Sequence, residues 1–276
     1  MKLSLHGVSV WYSNAVTQLR IAREAGFTGL ELLPEHIFRY LENGGSYAEY
    51  RQLMQDNGID ITCINALKRI GRYQPQARAE LIQEARMICH AAAELACPVV
   101  QIMALDEINE LTETNRNTIL HDNICAIADI GKPLGIRFQI EVVAFTPFNS
   151  LQQGLDIIAA CGRDNVGLVI DFWHLHAGGK THPDEVAKMD PSLIYGVHFC
   201  DGRAARKDEA WDEWVLRDYA PGQGEVNIDS WVRALRKTGY NGVWSPEWLS
   251  PHAWEHDVFE AGKLSMQSLK HYGISD

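Results

Sequence analysis

Residues 159–171 read AACGRDNVGLVID: the end of a helix, a turn that contains glycine, and a short apolar strand that ends at an acid. The same passage from helix to strand recurs at 22–33, 53–65, 92–103, 130–143, 189–200 and 235–248. Residues 2–8 add a strand that no helix precedes, and residues 254–273 supply a final helix. Eight alternating β/α units indicate a parallel sheet and favour a TIM barrel, an α/β fold.

The chain shows no sign of a second domain. Its 276 residues, 46% of them hydrophobic, can bury one large core, and a single α/β barrel commonly has this length. No long linker rich in proline, glycine or serine interrupts the β/α units. An open doubly wound sheet is the alternative, but no glycine-rich nucleotide-binding motif follows the first strand. We therefore expect residues 1–276 to form a single TIM-barrel domain, with a long loop or lid near residues 201–221.

Composition and charge argue against several kinds of partner. The net charge of −11 disfavours nucleic acid, since affinity for phosphate groups is largely electrostatic. No segment approaches the roughly 20 apolar residues of a membrane span, and the N-terminus lacks the apolar run of a leader peptide. The six cysteines are scattered and form no CxxC pair, which predicts buried free thiols in a reducing compartment. We expect a cytoplasmic protein without a nucleic-acid or membrane partner.

Four consecutive strands of the predicted barrel end in residues that bind metal ions. They are Glu141, Asp171, His198 and Glu247, in strands five to eight. In a TIM barrel the carboxyl ends of the strands form one rim, which carries the catalytic groups. Three carboxylates and an imidazole suit one divalent ion, and Mn²⁺, Mg²⁺, Co²⁺ and Zn²⁺ are all compatible. A single acid at a strand end is more often a helix N-cap or a turn former, but four on adjacent strands favour a metal site.

Further polar and aromatic residues are expected near this rim. His174 follows Asp171 in the loop above the site, where it could hydrogen-bond a substrate hydroxyl or bind the metal. His6 and Glu31, at the ends of the first two strands, are predicted to line the mouth of the pocket, and internal hydrogen-bonding roles fit them equally well. Trp173 is predicted to wall the pocket, with an ordinary core position as the alternative.

The segment 201–221 is long and charged, and it contains Trp211 and Trp214. One interpretation is an amphipathic surface helix whose tryptophans pack on the barrel rim. The other is a lid in which aromatic rings exclude water and an arginine meets an anionic substrate group, the candidates being Arg203, Arg206 and Arg217. The sequence leaves both interpretations open.

Five motifs occur in order along the chain, namely Glu141, DFWH at 171–174, VHFCDGR at 197–203, PGQGEV at 221–226 and PEW at 246–248. Together they resemble the sugar phosphate isomerase/epimerase family, also called the xylose-isomerase-like or AP-endonuclease-2-like TIM barrels. The similarity extends over essentially the whole chain.

The resemblance implies a site as well as a fold. In the ketose 3-epimerases of that family, residues matching Glu141, Asp171, His198 and Glu247 hold one divalent metal, and the two glutamates also act as the acid/base pair. His174 resembles the family's substrate-contacting histidine. Arg203 resembles its basic residue after the strand-seven histidine, with Arg206 and Lys207 close enough to replace it.

This sequence departs from the motifs of two groups within the family. Many ketose 3-epimerases carry a further glutamate soon after the strand-five ligand, whereas VVAFTPFN follows Glu141 here. Endonuclease IV-type members need early histidine ligands and an Asp-x-His after strand seven. Here strands three and four end near Asn65 and Met103, and no Asp-x-His occurs between 199 and 225. DNA repair is therefore not expected.

The predicted site suits proton transfer next to a carbonyl group. A divalent ion that chelates a carbonyl and a neighbouring hydroxyl acidifies the α-proton, because it stabilises the enediolate. Glu141 and Glu247 would remove and return the proton, which isomerises or epimerises a ketose, a sugar phosphate or a related polyol. The enediolate can also expel a β-hydroxyl, so a dehydratase of a keto-polyol, such as an inosose or dehydroshikimate, is the alternative. A barrel that binds a metal or ligand without catalysis is a further alternative. Association into a homo-oligomer is expected by analogy alone.

Overall fold

Eight parallel strands close into a barrel in which each strand pairs with the next along the chain and the eighth pairs with the first. The computed structural model describes residues 1–275. The strands are β1 (Lys2–His6), β2 (Gly29–Leu32), β3 (Asp60–Lys68), β4 (Val99–Met103), β5 (Arg137–Glu141), β6 (Val166–Asp171), β7 (Ile194–Phe199) and β8 (Val243–Pro246). This architecture confirms the predicted single-domain TIM barrel.

Helices alternate with the strands and cover the outside of the barrel. Those of residues 1–275 are α1 (Ala15–Ala25), α2 (Pro34–Glu42), α3 (Tyr47–Asn57), α4 (Pro75–Glu94), α5 (Glu113–Gly131), α6 (Leu151–Cys161), α7 (Phe172–Ala177), α8 (Pro183–Val186), α9 (Glu213–Leu216), α10 (Ile228–Thr238), α11 (Pro251–Trp254) and α12 (Val258–His271). Short 3₁₀ turns occur at Gly7–Val10, Asp106–Ile108, Lys132–Leu134 and Pro191–Leu193. The short helices α7, α9 and α11 follow β6, β7 and β8, so they lie at the carboxyl end of the barrel.

Local sequence explains where the first helices begin and end. The side chain of Asn14 accepts a hydrogen bond from the N–H of Thr17 and so caps the first turn of α1, since the first N–H groups of a helix have no partner within it. Gly26 ends α1 with a φ of 89°, and Gly58 ends α3 with a φ of 66°. Glycine reaches this left-handed region without steric cost, which lets the chain turn from helix into the next strand.

The barrel interior contains a chain of polar side chains that leads to the carboxyl end. The Nε2 group of Gln139 donates to Oε1 of Gln101 at 2.8 Å, and Nε2 of Gln101 donates to Oε2 of Glu141 at 3.0 Å. All three residues are buried. Because a buried polar group needs a partner, these bonds fix the orientation of the Glu141 carboxylate.

The segment 201–221, all of it described, is not the amphipathic helix of the first interpretation. It contains the helical turn α9 and is otherwise irregular, and Trp211 and Trp214 stay 42% and 44% exposed. Buried Asp201 fixes the segment, because its carboxylate accepts hydrogen bonds of 2.7, 2.9 and 3.1 Å from the N–H groups of Gly222, Gly224 and Val226. The two ends of the segment are therefore tied together.

The structure can be compared with two expectations from composition, one about the cysteines and one about membrane-spanning segments. All six cysteines are free and buried, which confirms the prediction of buried thiols. Within residues 1–275, every helix is too short or too polar to cross a membrane.

Candidate metal centre

Four side chains converge at the carboxyl end of the barrel. Glu141 ends β5, Asp171 ends β6, His198 lies in β7, and Glu247 directly follows β8. One ligand-type atom from each lies within 4.8 Å of the others, and all four residues are buried. The structure thus brings together the four residues that the sequence nominated as metal ligands.

One nitrogen of His198 faces all three carboxylates. Its Nδ1 atom lies 3.0 Å from Glu141 Oε1, 3.3 Å from Glu247 Oε2 and 3.6 Å from Asp171 Oδ2. Three carboxylate oxygens and one imidazole nitrogen form a donor set that fits a divalent cation of intermediate hardness. Asp171 also caps α7, because its Oδ1 accepts a hydrogen bond from the N–H of His174 at 2.6 Å. The helix-cap interpretation of Asp171 is therefore correct as well, and its Oδ2 stays with the cluster.

Burial and neighbouring charges shift the pKa values of the cluster in different directions. Burial raises the pKa of Glu141. Burial also opposes ionisation of Glu247, but the charges of Arg217 and His198 outweigh it and hold the pKa of Glu247 well below its usual range. For His198, burial favours the neutral ring, yet Glu247 and Glu31 raise its pKa well above the ordinary value. The carboxylates dominate the local field, so the cluster attracts cations.

His6 and Glu31 lie beside His198 and are 1% and 2% exposed. Of the two roles that the sequence left open for Glu31, the structure agrees with internal hydrogen bonding and not with the mouth of the pocket. Glu31 Oε1 lies 3.1 Å from His198 Nε2 and accepts a hydrogen bond from Asn65 Nδ2 at 3.2 Å. His6 Nε2 lies 3.3 Å from Glu247 Oε1. Glu31 therefore has an internal hydrogen-bonding role, whereas His6 combines internal contacts with a place in the lining of the cavity described next.

A cavity of about 160 Å³, which we call the rim cavity, lies above the cluster. Its base is polar, with Glu141, Glu247 and His6, and its upper wall is apolar, with residues such as Val8, Trp11, Leu33, Leu105 and Trp214. A larger cavity of about 520 Å³ lies among Lys2, Arg51 and Arg137 at the amino-terminal end of the strands. The rim cavity is the candidate site, because catalytic groups of TIM barrels sit at the carboxyl end.

His174 lines the rim cavity, but it belongs to the short helix α7 and not to a loop. Its Nδ1 atom accepts a hydrogen bond from the N–H of Ala144 at 3.2 Å. Its Nε2 atom lies 3.5 Å from Nη1 of Arg217 and 3.6 Å from Oε1 of Glu213. The ring thus lies beside the cavity, where the predicted contact with substrate requires it.

Arg217 is the arginine of the segment 201–221 that enters the cavity. Its Nη2 group donates to Asp171 Oδ2 at 3.1 Å and to Glu247 Oε2 at 2.5 Å. Its Cζ atom lies 4.9 Å from the centre of the Trp173 ring. Trp173 is fully buried, so this predicted pocket wall instead supports the guanidinium group from behind.

Arg203, predicted to contact substrate, lies elsewhere. Its two Nη groups donate to the carboxylate of Glu209, each at 2.6 Å, and its main-chain oxygen accepts a hydrogen bond from Trp173 Nε1 at 3.0 Å. The bidentate pair holds the guanidinium within the segment and away from the cavity. Sequence spacing could not distinguish Arg203 from Arg217, because only the irregular path of the segment decides which arginine points inward.

Comparisons with known proteins agree with this architecture. A sequence profile of the family described as "Xylose isomerase-like TIM barrel" matches residues 19–271. Inosose isomerase of Halalkalibacterium halodurans is 26% identical over 92% of this chain and 89% of its own length. The 3-dehydroshikimate dehydratase of Pseudomonas putida is 22% identical over 83% of this chain and 35% of its own length. A crystal structure of a protein named IOLI with a zinc atom superposes with a TM-score of 0.91 at 24% identity, covering 99% of this chain and 98% of that chain.

The curated relatives are enzymes, an isomerase and a dehydratase, which confirms the prediction that the chain is an enzyme. The superposition supports the fold over nearly the whole length. Because the profile match also spans most of the 276 residues, the chain belongs to the xylose isomerase-like TIM-barrel family.

Proposed function

We propose that the protein is a divalent-metal-dependent isomerase or epimerase that acts on a ketose, a sugar phosphate or a related keto-polyol. The observation that carries this proposal is the meeting of three carboxylates and one imidazole at the base of a small cavity. The inosose isomerase relative supports a cyclic keto-polyol as the first substrate to test. The donor set is compatible with Mn²⁺, Mg²⁺, Co²⁺ and Zn²⁺.

Glu141, Asp171, His198 and Glu247 would hold the ion. When bound, it would polarise the substrate carbonyl group and stabilise the negative charge of an enediolate. Glu141 and Glu247, which approach from different strands, would remove a proton from the carbon next to the carbonyl group and return one. The Gln139–Gln101 chain holds Glu141 in place for this transfer.

His174 and Arg217 would orient the substrate. Both side chains line the rim cavity. The imidazole and the guanidinium group can therefore contact a substrate oxygen that carries negative charge as the enediolate forms. Trp11 and Trp214 in the upper wall would limit the access of water.

A dehydratase is the second candidate function. The dehydratase relative supports it, and so does the buried cation of Arg217, because a guanidinium group binds a substrate carboxylate well. The same enediolate would then expel a β-hydroxyl group as water, and Glu141 or Glu247 would donate the proton that the leaving hydroxyl requires.

The test measures bound metal and proton exchange together. The purified protein is incubated in D₂O with ketoses, their phosphates, an inosose and dehydroshikimate, and NMR spectra are recorded. Deuterium entering a carbon next to the carbonyl group supports the isomerase, and a new alkene signal supports the dehydratase. One metal ion per chain without any reaction would point to a non-catalytic binding barrel.

Matched variants tie the chemistry to the site. Glu141→Gln and Glu247→Gln should each lower the exchange rate by at least about 100-fold, the usual contribution of a positioned acid or base. Glu113→Gln makes the same chemical change on the exposed surface of α5 and should leave the rate unchanged. Full exchange in both site variants would refute the assignment of the two glutamates.

A further inference from the structure

The two ring nitrogens of His198 have different surroundings. Nδ1 faces the carboxylates of Glu141, Asp171 and Glu247. Nε2 lies on the other side of the ring, 3.1 Å from Oε1 of Glu31. A carboxylate oxygen only accepts, so this contact is a hydrogen bond if Nε2 carries the proton. When a metal ion displaces the proton of Nδ1, the lone pair of the neutral ring is on that nitrogen, on the side of the candidate metal ligands.

Glu31 is itself held in one position. It extends from β2 into the barrel, where it is 2% exposed. Its Oε1 also accepts a hydrogen bond from Nδ2 of Asn65 on β3 at 3.2 Å. Because Asn65 holds the buried carboxylate of Glu31 independently of His198, the carboxylate stays beside the imidazole and the direction of the Nε2–H bond is fixed as well.

Resting on the proposed metal-dependent function, we propose that Glu31 is a positioning residue that sets the tautomer and the ring orientation of His198 and so makes Nδ1 the ligand nitrogen. The relevant chemistry is general: a carboxylate that accepts the second N–H of a ligating histidine orients the ring and strengthens the ligand. Glu31 contributes no ligand of its own to the ion.

The same neighbourhood suggests a competing arrangement, since ligand-type atoms of His6, Glu31 and His198 also lie within 4.8 Å of one another. A second cation there would need a free lone pair on Nε2 of both histidines. However, Nδ1 of His6 accepts a hydrogen bond from the N–H of Val8 at 3.1 Å. Its Nε2 atom lies 3.3 Å from Glu247 Oε1 and 3.0 Å from Asn65 Nδ2. Both ring nitrogens of His6 therefore already lie within hydrogen-bond distance of protein groups, without a second ion.

The experiment compares metal binding in the wild type, Glu31→Gln and Glu31→Leu. Affinity for Zn²⁺ is measured by competition with a chromogenic chelator, and the number of ions per chain by elemental analysis. Protein labelled with ¹⁵N-histidine is then loaded with ¹¹³Cd²⁺, and one-bond coupling identifies which nitrogen of His198 binds the ion. Thr62→Val is the matched control, because it removes buried hydrogen bonds of 2.6 Å to Ser4 and 3.2 Å to the main-chain oxygen of Leu30 inside the same barrel, while the carboxylate of Glu31 and its two donors stay in place.

We expect one ion per wild-type chain, with coupling to Nδ1. Affinity should fall about 10- to 100-fold in Glu31→Leu, the usual effect of losing such a partner, and the coupling to Nδ1 should weaken or disappear. Glu31→Gln keeps an acceptor oxygen and should lie between the two, which makes the inference testable even if Glu31→Leu folds poorly. Thr62→Val should bind the ion like the wild type.

Three results would overturn the inference while leaving the proposed function intact. They are unchanged affinity and Nδ1 coupling in both Glu31 variants, coupling to Nε2 in the wild type, and two ions per wild-type chain with Glu31 as a ligand. A wild-type chain that binds no ion would refute the proposed function, and this inference with it.

Discussion

Replacing Arg217 with methionine tests the central electrostatic feature of the site. The guanidinium group is 2% exposed and pairs with Asp171 and Glu247, whose side chains are 1% and 9% exposed. Removing one partner of a buried ion pair costs about 3 to 5 kcal/mol, because the other partner stays buried without its counter-charge. His198 remains near both carboxylates, so we expect Arg217→Met to lower the free energy of unfolding by about 3 kcal/mol.

Two further effects of this substitution should have opposite signs. The affinity for a divalent ion should rise by about tenfold or more, since the loss of a nearby positive charge is worth at least about 1.4 kcal/mol at this range. The kcat/KM for the substrate should fall, because a donor to the developing negative charge is lost. Urea unfolding, chelator competition and the D₂O exchange assay measure the three quantities.

Arg203→Met is the matched control for Arg217→Met. It makes the same change in the same segment, at a guanidinium that pairs with Glu209 and does not line the rim cavity. We expect its metal affinity and kcat/KM to match the wild type. If Arg217→Met weakened metal binding, or if it kept full kcat/KM, the role given to Arg217 would be wrong.

Three other perturbations probe the Asp201 clamp, by which we mean the Asp201 carboxylate and the N–H groups that donate to it, the bound metal and the buried side chain of His36. Asp201→Ala should lower the free energy of unfolding by about 2 to 3 kcal/mol and speed amide hydrogen exchange in residues 201–226, since four N–H groups, those of Gly202, Gly222, Gly224 and Val226, lose a charged acceptor. Unchanged exchange would contradict the role of Asp201. Removing metal with a chelator should abolish D₂O exchange of the substrate and lower the free energy of unfolding, by about 2.7 kcal/mol if the ion had been present at 100 times its dissociation constant. One equivalent of ion should restore both. Exchange that survives chelation would contradict a metal-dependent site. Burial and Arg39 lower the pKa of His36 from 6.5 to about 4. As the pH drops, the unfolded chain therefore takes up the proton first, and the free energy of unfolding falls by up to about 3 kcal/mol between pH 6.5 and pH 4. His36→Asn should flatten that part of the stability profile, and an unchanged slope would assign it to other groups.

The sequence was informative wherever a residue's role follows from its place on a strand. Glu141, Asp171 and His198 lie in consecutive strands, and parallel strands bring their carboxyl ends to one rim. The alternation of helix and strand therefore places these side chains near one another before any coordinates are known. The four-residue cluster follows from topology and chemistry alone.

Roles that depend on the path of irregular backbone or on side-chain length were not accessible in this way. Arg203 and Arg217 lie in the same segment, and only the fold of that segment turns Arg217 into the cavity and pairs Arg203 with Glu209. For Glu31 the position near a strand end was compatible with the mouth of the pocket and with an internal hydrogen bond, and only the structure shows that its side chain lies inside the barrel beside His198. Pairwise contacts between distant parts of the chain decided both outcomes.

The clamp at Asp201 has a consequence for how this protein could change over evolution or in the laboratory. Because Asp201 ties the two ends of the segment together, exposed residues 206–208 can vary without touching the contacts that hold Arg217. Asp212 is different, because it caps the helical turn α9 that ends at Arg217. Residues 206–208 do not line the rim cavity, so a library confined to them would alter the surface of the segment and leave the reaction chemistry unchanged.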